Sequence, residues 1–449
     1  MNLNIKNITK EQLLAEITTA LKNTSLAFAW FIGGFVLAAA VFGDGYAWHF
    51  ILCAAVPLLW FKAPTRIRAW LFALGYYLGA AHDVPAGSAV FFGFEAPVLG
   101  IVLWLTASLT LSLPWAVFWT KFNLAADGTP IGYKEAIFKK AFRLSLALLF
   151  VTIPPLGAWG WANPIMGFAW LPFFTGTGFI GIILGILITS ALGDLLIRLK
   201  TQPFGKRLVY GALVVTVFIM LFMFGHSPSK EAFNKMTYDL LGIRTIYTEE
   251  GKPYSGSERN YGAEQLNAYL IKHVKVTDKD KIIILPETVA GNIDDKKSEM
   301  ITRFIRSTKR DDLTIYIGGQ KIHDNGSYEN GMYCYTAAGY VIGANYIQRY
   351  PVPVSMWLPF VTNGTCIADW FSQRNIRIGD KKAACLICFE HVLAMPVLLS
   401  FATFDKPDMI LATANKWWSK GTGIPAIQDQ SVLSWARLFG VPVITAENR

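Results

Sequence analysis

The chain has 449 residues, 53% of them hydrophobic and only 16% charged, where a soluble protein averages about 25% charged. The shortage falls almost wholly before residue 227, so the composition excludes a purely water-soluble protein and divides the chain into a membrane part and a globular part. The formal net charge of +10 lies largely in short loops between apolar runs, and no zinc-finger spacing or RNA-binding signature accompanies it, which argues for membrane topology and against a nucleic-acid partner.

Residues 1–24 mix acids and bases and lack an apolar h-region, so they read as a cytoplasmic helix, surface-bound or solvated, and not as a cleavable signal. A membrane domain over residues 25–227 follows. Seven stretches in it, near 25–43, 46–62, 67–82, 95–120, 141–160, 168–196 and 207–225, are apolar enough for transmembrane helices. The loops alternate in charge. Lys62, Arg66 and Arg68 follow the second stretch; Lys121, Lys134, Lys139, Lys140 and Arg143 follow the fourth; Arg198, Lys200, Lys206 and Arg207 follow the sixth. The intervening loops carry no lysine or arginine, and the positive-inside rule then puts the N-terminus in the cytoplasm and the C-terminal domain outside, in the periplasm of a Gram-negative cell. The fifth-to-sixth loop, "WGWANPIMGFAWLPFFTGTG", is crowded with aromatics. It reads either as an aromatic belt at the membrane interface or as an apolar platform beside a site that accepts a lipid chain.

Residues 228–449 alternate strand-like and helical runs, which predicts an α/β sandwich. The strands are expected at "KIIILPE" (281–287), "LTIYIGG" (313–319), "AACLICFE" (383–390), "MILATAN" (409–415) and "VPVITAEN" (441–448). Three of them end in polar residues: Glu287, Cys388 with Glu390, and Asn415. Cys385 and Cys388 lie three apart. In a regular strand they would face opposite ways, which argues against a shared metal or a local disulfide. A thioredoxin-type CxxC would open a helix instead. Taken alone, each cysteine is a buried small hydrophobe. Glu287 at a neighbouring strand end changes this, because a carboxylate able to deprotonate a thiol is the minimum for nucleophilic catalysis. His323 and His391 have no ligand spacing and read as structural. Cys334 and Cys366 either pair or are buried singly. The pattern calls for no metal and no cofactor.

The segments "ILPET", "NGMYCYTAAGYVIGANYIQRYPVP", "CLICFE" and "ATANKWW" run in the order seen in the nitrilase, or carbon–nitrogen hydrolase, superfamily, which the chain resembles. That resemblance implies an α-β-β-α sandwich with a Glu–Lys–Cys triad. Several spans ahead of an external nitrilase-like domain, with the loop "GFAWLPF", are similar to bacterial apolipoprotein N-acyltransferase. The segment "PVPVSMWLPF" and the early C-terminus look closer still to TraB-type conjugal transfer proteins of plasmids. On this resemblance Glu287 matches the general base, Cys388 the nucleophile and Glu390 a supporting glutamate, while Asn415 and Trp418 help shape the pocket. The implied activity is thiol-dependent acyl or amide transfer, with a membrane phospholipid as acyl donor and a lipoprotein or pilin-like protein of a conjugation machinery as acceptor. The alternative is a catalytically degenerate assembly or binding factor of such a system.

Three departures bear on that choice. The family lysine is replaced by Gln348, so any compensating cation would have to come from Arg349, Lys416, Lys420 or Lys321. Met356 stands where the acyltransferases have a further glutamate. Those enzymes also continue past the last strand, so an open sheet edge is expected near Arg449.

Overall fold

A computed structural model describes residues 10–43, 47–92, 97–171, 173–199, 242–248, 262–340, 344–358, 360–372 and 375–449. The expected seventh span at 207–225 and the domain boundary at 227 lie outside them.

The apolar half is helical. It contains α1 (Lys10–Phe42), α2 (Ala55–Lys62), α3 (Arg66–Ala80), α4 (Val84–Phe92), α5 (Pro97–Val117), α6 (Tyr133–Phe150) and α7 (Gly178–Arg198). Among the described residues, three segments are long and apolar enough to cross a membrane: Lys22–Phe42, Val98–Val117 and Gly178–Arg198. The other expected spans within the described residues contain shorter or more polar elements. The 46–62 stretch divides into a 3-10 helix, Ala47–Ala54, and α2, while α3 has 15 residues. Helix α1 runs without a break through position 24. It crosses α3 closely, since a Cβ on Gly75 would stand 2.1 Å from the Phe31 carbonyl oxygen and one on Gly34 2.0 Å from that of Phe72. Such small residues are what let apolar helices approach backbone to backbone.

The C-terminal half is an α-β-β-α sandwich. One sheet runs β1 (Ile243–Thr245), β3 (Ile282–Ile284), β4 (Thr314–Ile322), β5 (Tyr328–Thr336) and β6 (Gly339–Tyr340), with β7 (Tyr346–Ile347) also pairing with β5. The other runs β2 (Tyr247–Thr248), β11 (Val443–Asn448), β10 (Met409–Asn415), β9 (Lys381–Ile387) and β8 (Asn375–Ile378). Strands β1, β3 and β4 are parallel, as are β2, β11, β10 and β9. Side-chain alternation then builds the layers. Ile282 and Ile284 point into the space between the sheets with Met409, Leu411 and Ile444. Ile283, Ile315 and Ile317 point outward onto α8 (Ala263–His273) and α9 (Asp295–Ser307), through Leu266, Leu270, Ile301 and Ile305. At the last strand, where an open edge is expected, β2 pairs in parallel with β11 over Glu447 and Asn448.

The outer face of the second sheet is packed by α10 (Ala394–Phe401) and α11 (Ile424–Phe439). Its core is continuous with that of the apolar helices: Ala384, Leu386, Ile410, Val397 and Trp435 share one cluster with Phe50, Phe168 and Trp170. The aromatic loop lies in this junction. Pro164–Trp170 is a 3-10 helix whose residues are all buried. Trp170 Nε1 donates to Ser434 Oγ (2.8 Å), and Arg437 Nε donates to the Ala169 carbonyl (2.8 Å). Trp161, Phe168, Trp170 and Phe174 are all buried in this shared cluster, which argues against the interfacial belt, one of the two readings of the loop. Among the described aromatic residues of this loop, Phe173 alone is strongly exposed.

Candidate active site

Strand β3 ends at Ile284, and Leu285-Pro286 carries the chain to Glu287, which is buried between the sheets. Gly318 makes that turn fit, because a Cβ there would meet Glu287 Cα at 2.5 Å. Strand β9 ends at Ile387, and Cys388 follows with φ of +50° at the head of a 3-10 turn, Cys388–Val392. A non-glycine residue held at positive φ costs about 1–3 kcal/mol, and such strain concentrates at functional sites. The restraint is Glu390, which accepts the Ile387 N–H (2.8 Å) and fastens the turn to the end of the strand. Glu390 also accepts from Arg349 N–H (2.9 Å), Tyr350 N–H (3.2 Å) and the Tyr346 hydroxyl (2.9 Å). Burial pushes its pKa up, and the neighbouring Arg349 charge and these donors counter that. All four partners donate, which fits an ionised carboxylate.

This turn corrects the alternation argument. Cys385 faces the space between the sheets, and a continued strand would aim Cys388 the other way. The positive φ ends the strand first, and Cys388 joins Cys385 in the same inter-sheet cluster. What separates them is depth. Cys385 lies three residues back, roughly 10 Å along a strand, and is fully buried, whereas Cys388 retains 7% exposure at the strand end.

Glu287 and Cys388 are neighbours in the space between the sheets, and each shifts the titration of the other. Glu287 Oε1 also accepts from Asn330 Nδ2 (2.8 Å), and Oε2 accepts from the Asn415 N–H (3.0 Å). Burial raises the Glu287 pKa to about 7, with the Asn330, Asn415 and Cys388 donors opposing the rise. Burial and the Glu287 charge push the Cys388 thiol well above its ordinary value, against smaller pulls from the Asn415 N–H and the Lys416 charge. The pair at rest is thus a neutral thiol beside a base poised near neutrality, an arrangement suited to proton removal during attack.

Gln348 sits in this frame, fully buried. Its Oε1 accepts from Asn330 Nδ2 (2.9 Å), and its Nε2 donates to the Ile387 carbonyl (3.1 Å). The expected pocket cations lie around it in different ways. Arg349 turns away, donating to Tyr346 Oη (3.0 Å), the Pro396 carbonyl (3.1 Å) and Ser400 Oγ (3.2 Å). Lys416 is buried behind Asn415 and donates to Asp429 (2.6 Å) and Glu447 (2.8 Å). Lys420 is exposed. Lys321 lies on β4 in register with Glu329. Trp418 packs edge-on against Phe91 and over Gly87, so α4 of the apolar half abuts the loop that follows Asn415. All five cysteines, Cys334 and Cys366 among them, are free thiols. His391 contacts the Leu386 carbonyl (3.2 Å) and His323 contacts Glu329 (3.2 Å).

Two site residues escape a reading of the sequence. Asn330 bridges Glu287 and Gln348, and its only signal is a polar residue just ahead of the run "GMYCY". Gln428, on α11, donates to the Cys388 carbonyl (3.2 Å) and braces the strained turn.

No family model matches the chain. It is 29% identical over 419 residues to a probable conjugal transfer protein TraB of Sinorhizobium fredii, covering 92% of this chain and 96% of that one. It is also 29% identical over 403 residues to the conjugal transfer protein TraB of Agrobacterium fabrum, covering 87% and 86% respectively. Among solved structures, an amidase from Nesterenkonia overlaps 46% of this chain and 77% of its own at 11% identity and a TM-score of 0.29. A carbon–nitrogen hydrolase from Helicobacter pylori overlaps 46% and 72% at 12% identity and a TM-score of 0.30. Along most of its length, the chain is similar to conjugal transfer proteins of the TraB type.

Proposed function

We propose that this is a membrane-bound, thiol-dependent acyl or amide transferase that serves plasmid conjugation. The observation that carries the proposal is the placing of Cys388, on a strained turn braced by Glu390, beside the buried Glu287 carboxylate that Asn330 and the Asn415 N–H hold in place. Glu287 takes the thiol proton as Cys388 Sγ attacks a carbonyl carbon. The tetrahedral intermediate collapses, the leaving group departs with the proton from Glu287, and a thioester remains. An amine or water, deprotonated by Glu287, then attacks the thioester and releases the thiol. A phospholipid is the acyl donor and a lipoprotein or pilin-like protein the acceptor. The contact of Trp418 with α4, and that of α11 with both α7 and the Cys388 turn, support lipid access from the apolar half.

One observation favours a second reading, a nitrilase-like binding or assembly factor. Gln348 supplies no charge, and Lys416 is already committed to two carboxylates. Conjugation frequency separates the two. A plasmid whose protein carries Cys388→Ala, expressed and folded at the normal level, should transfer at least tenfold less often, whereas unchanged transfer would favour the binding factor.

The site works in the periplasm under this proposal, with the α/β domain at residues 228–449 outside and the lysine-rich loops inside. A reporter fused after Arg449 should be active only in the periplasm, and one within 121–143 only in the cytoplasm. The reverse at either point would remove the chemistry from the periplasm.

A further inference from the structure

A second concavity lies at the far end of the helical half. A cavity of about 200 Å³ opens between the ends of α2 and α7 and the loop after α5, lined by Phe61, Lys62, Trp119, Lys121, Phe122 and Ile197 among others. The first turn of α7 meets α11 through Phe179 and Phe439. Ile197 lies in its last turn, so the cavity is about 30 Å from the α/β domain along a helix rising 1.5 Å per residue.

The charges around this cavity do not balance. Lys140 Nζ, fully buried, donates to Asn123 Oδ1 (2.5 Å) and Asp194 Oδ1 (2.9 Å). Arg198 takes the other Asp194 oxygen at 2.7 Å. Asp194 is therefore spent on these two. Lys139 Nζ donates only to backbone, at the Leu124 (2.6 Å) and Lys121 (3.2 Å) carbonyls. Among the described residues no carboxylate pairs with Lys62, Lys121 or Lys139. The positive-inside rule accounts for such lysines in a loop, but not for a concavity with two of them in its wall.

The helix that leads into this wall carries exposed apolar residues. Leu109, Leu113 and Val117 fall at i, i+4 and i+8 on α5, are 43%, 50% and 61% exposed, and end two residues before Trp119. A molecule with an anionic head in the cavity could lay its hydrocarbon along this stripe.

We infer that the cavity between α2, α7 and the α5–α6 loop binds the headgroup of an anionic phospholipid of the adjoining leaflet, with Lys62 and Lys121 on its phosphate. Basic pockets between apolar helices recognise such headgroups by charge, while the acyl chains supply the hydrophobic term. The site is distinct from the Cys388 site and does not depend on the chemistry proposed there.

The test uses the full-length protein in neutral detergent, followed by native mass spectrometry and thermal unfolding with added lipid. Phosphatidylglycerol should be retained and should raise the unfolding temperature, whereas phosphatidylcholine with the same chains should do neither. Lys62→Gln with Lys121→Gln should weaken phosphatidylglycerol retention at least about tenfold, and Lys62→Arg with Lys121→Arg should keep it. Equal retention of the two lipids would overturn the inference, as would an unaffected double glutamine variant. Equal stabilisation by inorganic phosphate or soluble glycerophosphate would overturn it too, by making the ligand a free phosphate and not a lipid.

Discussion

Replacing Glu287 with glutamine should slow acylation of Cys388 by about 10²–10⁴, the usual contribution of a positioned general base. It should also change the pH dependence. Glu287 accepts the thiol proton only when ionised, and burial has raised its pKa to about 7. In the unaltered protein the acylation rate should therefore be low below neutrality, climb through about pH 7 and level off above it. Cys388 does not supply this inflection, because its own pKa is pushed well up. Glu287→Gln should lower the whole curve and erase the step. Single-turnover kinetics with an activated thioester donor, read by quenched mass spectrometry from pH 5.5 to 9, measures both effects. A step that persists in the variant would transfer the base role to another group.

The second large effect is expected from restoring a charge. Gln348→Lys would bring an ammonium group to a buried position where acceptors already wait. The Ile387 carbonyl holds the present amide, and Asn330 Oδ1 is buried with no partner among the described residues. A fixed donor beside a developing oxyanion is typically worth about 10²–10³ in rate. Thioester formation should rise by a factor of that order if the missing charge is the only deficit. The same ammonium would stabilise the Glu287 carboxylate, so the pH step should move below 7. No gain in rate, with Cys388 still reactive, would mean that the pocket has been reshaped for binding.

Much of the α/β half is legible in the sequence because its strands are short, apolar and bounded by polar residues. "MILATAN" matches β10 residue for residue, and "KIIILPE" carries the chain from β3 to Glu287. The Cys388 turn was not legible. Nothing in "CLICFEH" announces a positive φ at a cysteine, and period-2 reasoning fails where the strand stops. Asn330 was hidden for a related reason: its role comes from the antiparallel pairing of β4 with β5, which brings Asn330 opposite Gln320 and leaves its side chain on the Glu287 face. The aromatic loop shows the limit of composition. A membrane-interface belt and a buried junction use the same tryptophans and phenylalanines, and only the packing of Trp170 on Ser434 and Arg437 distinguishes them. That Gln348 stands where the resembled superfamily has a lysine was visible at once, but the committed partners of Lys416 were not, because Asp429 and Glu447 come from separate elements.

The central claim is that Cys388 carries an acyl group. The most direct measurement is the intact mass of the full-length protein after incubation in phospholipid nanodiscs, followed by peptide mapping and neutral hydroxylamine treatment. The account predicts an increment of one acyl chain, located on Cys388 and released by hydroxylamine. The increment should be lost in Cys388→Ala and retained in Cys385→Ala. A folded protein that acquires no adduct from any lipid or thioester donor would contradict the account, as would an adduct that survives Cys388→Ala.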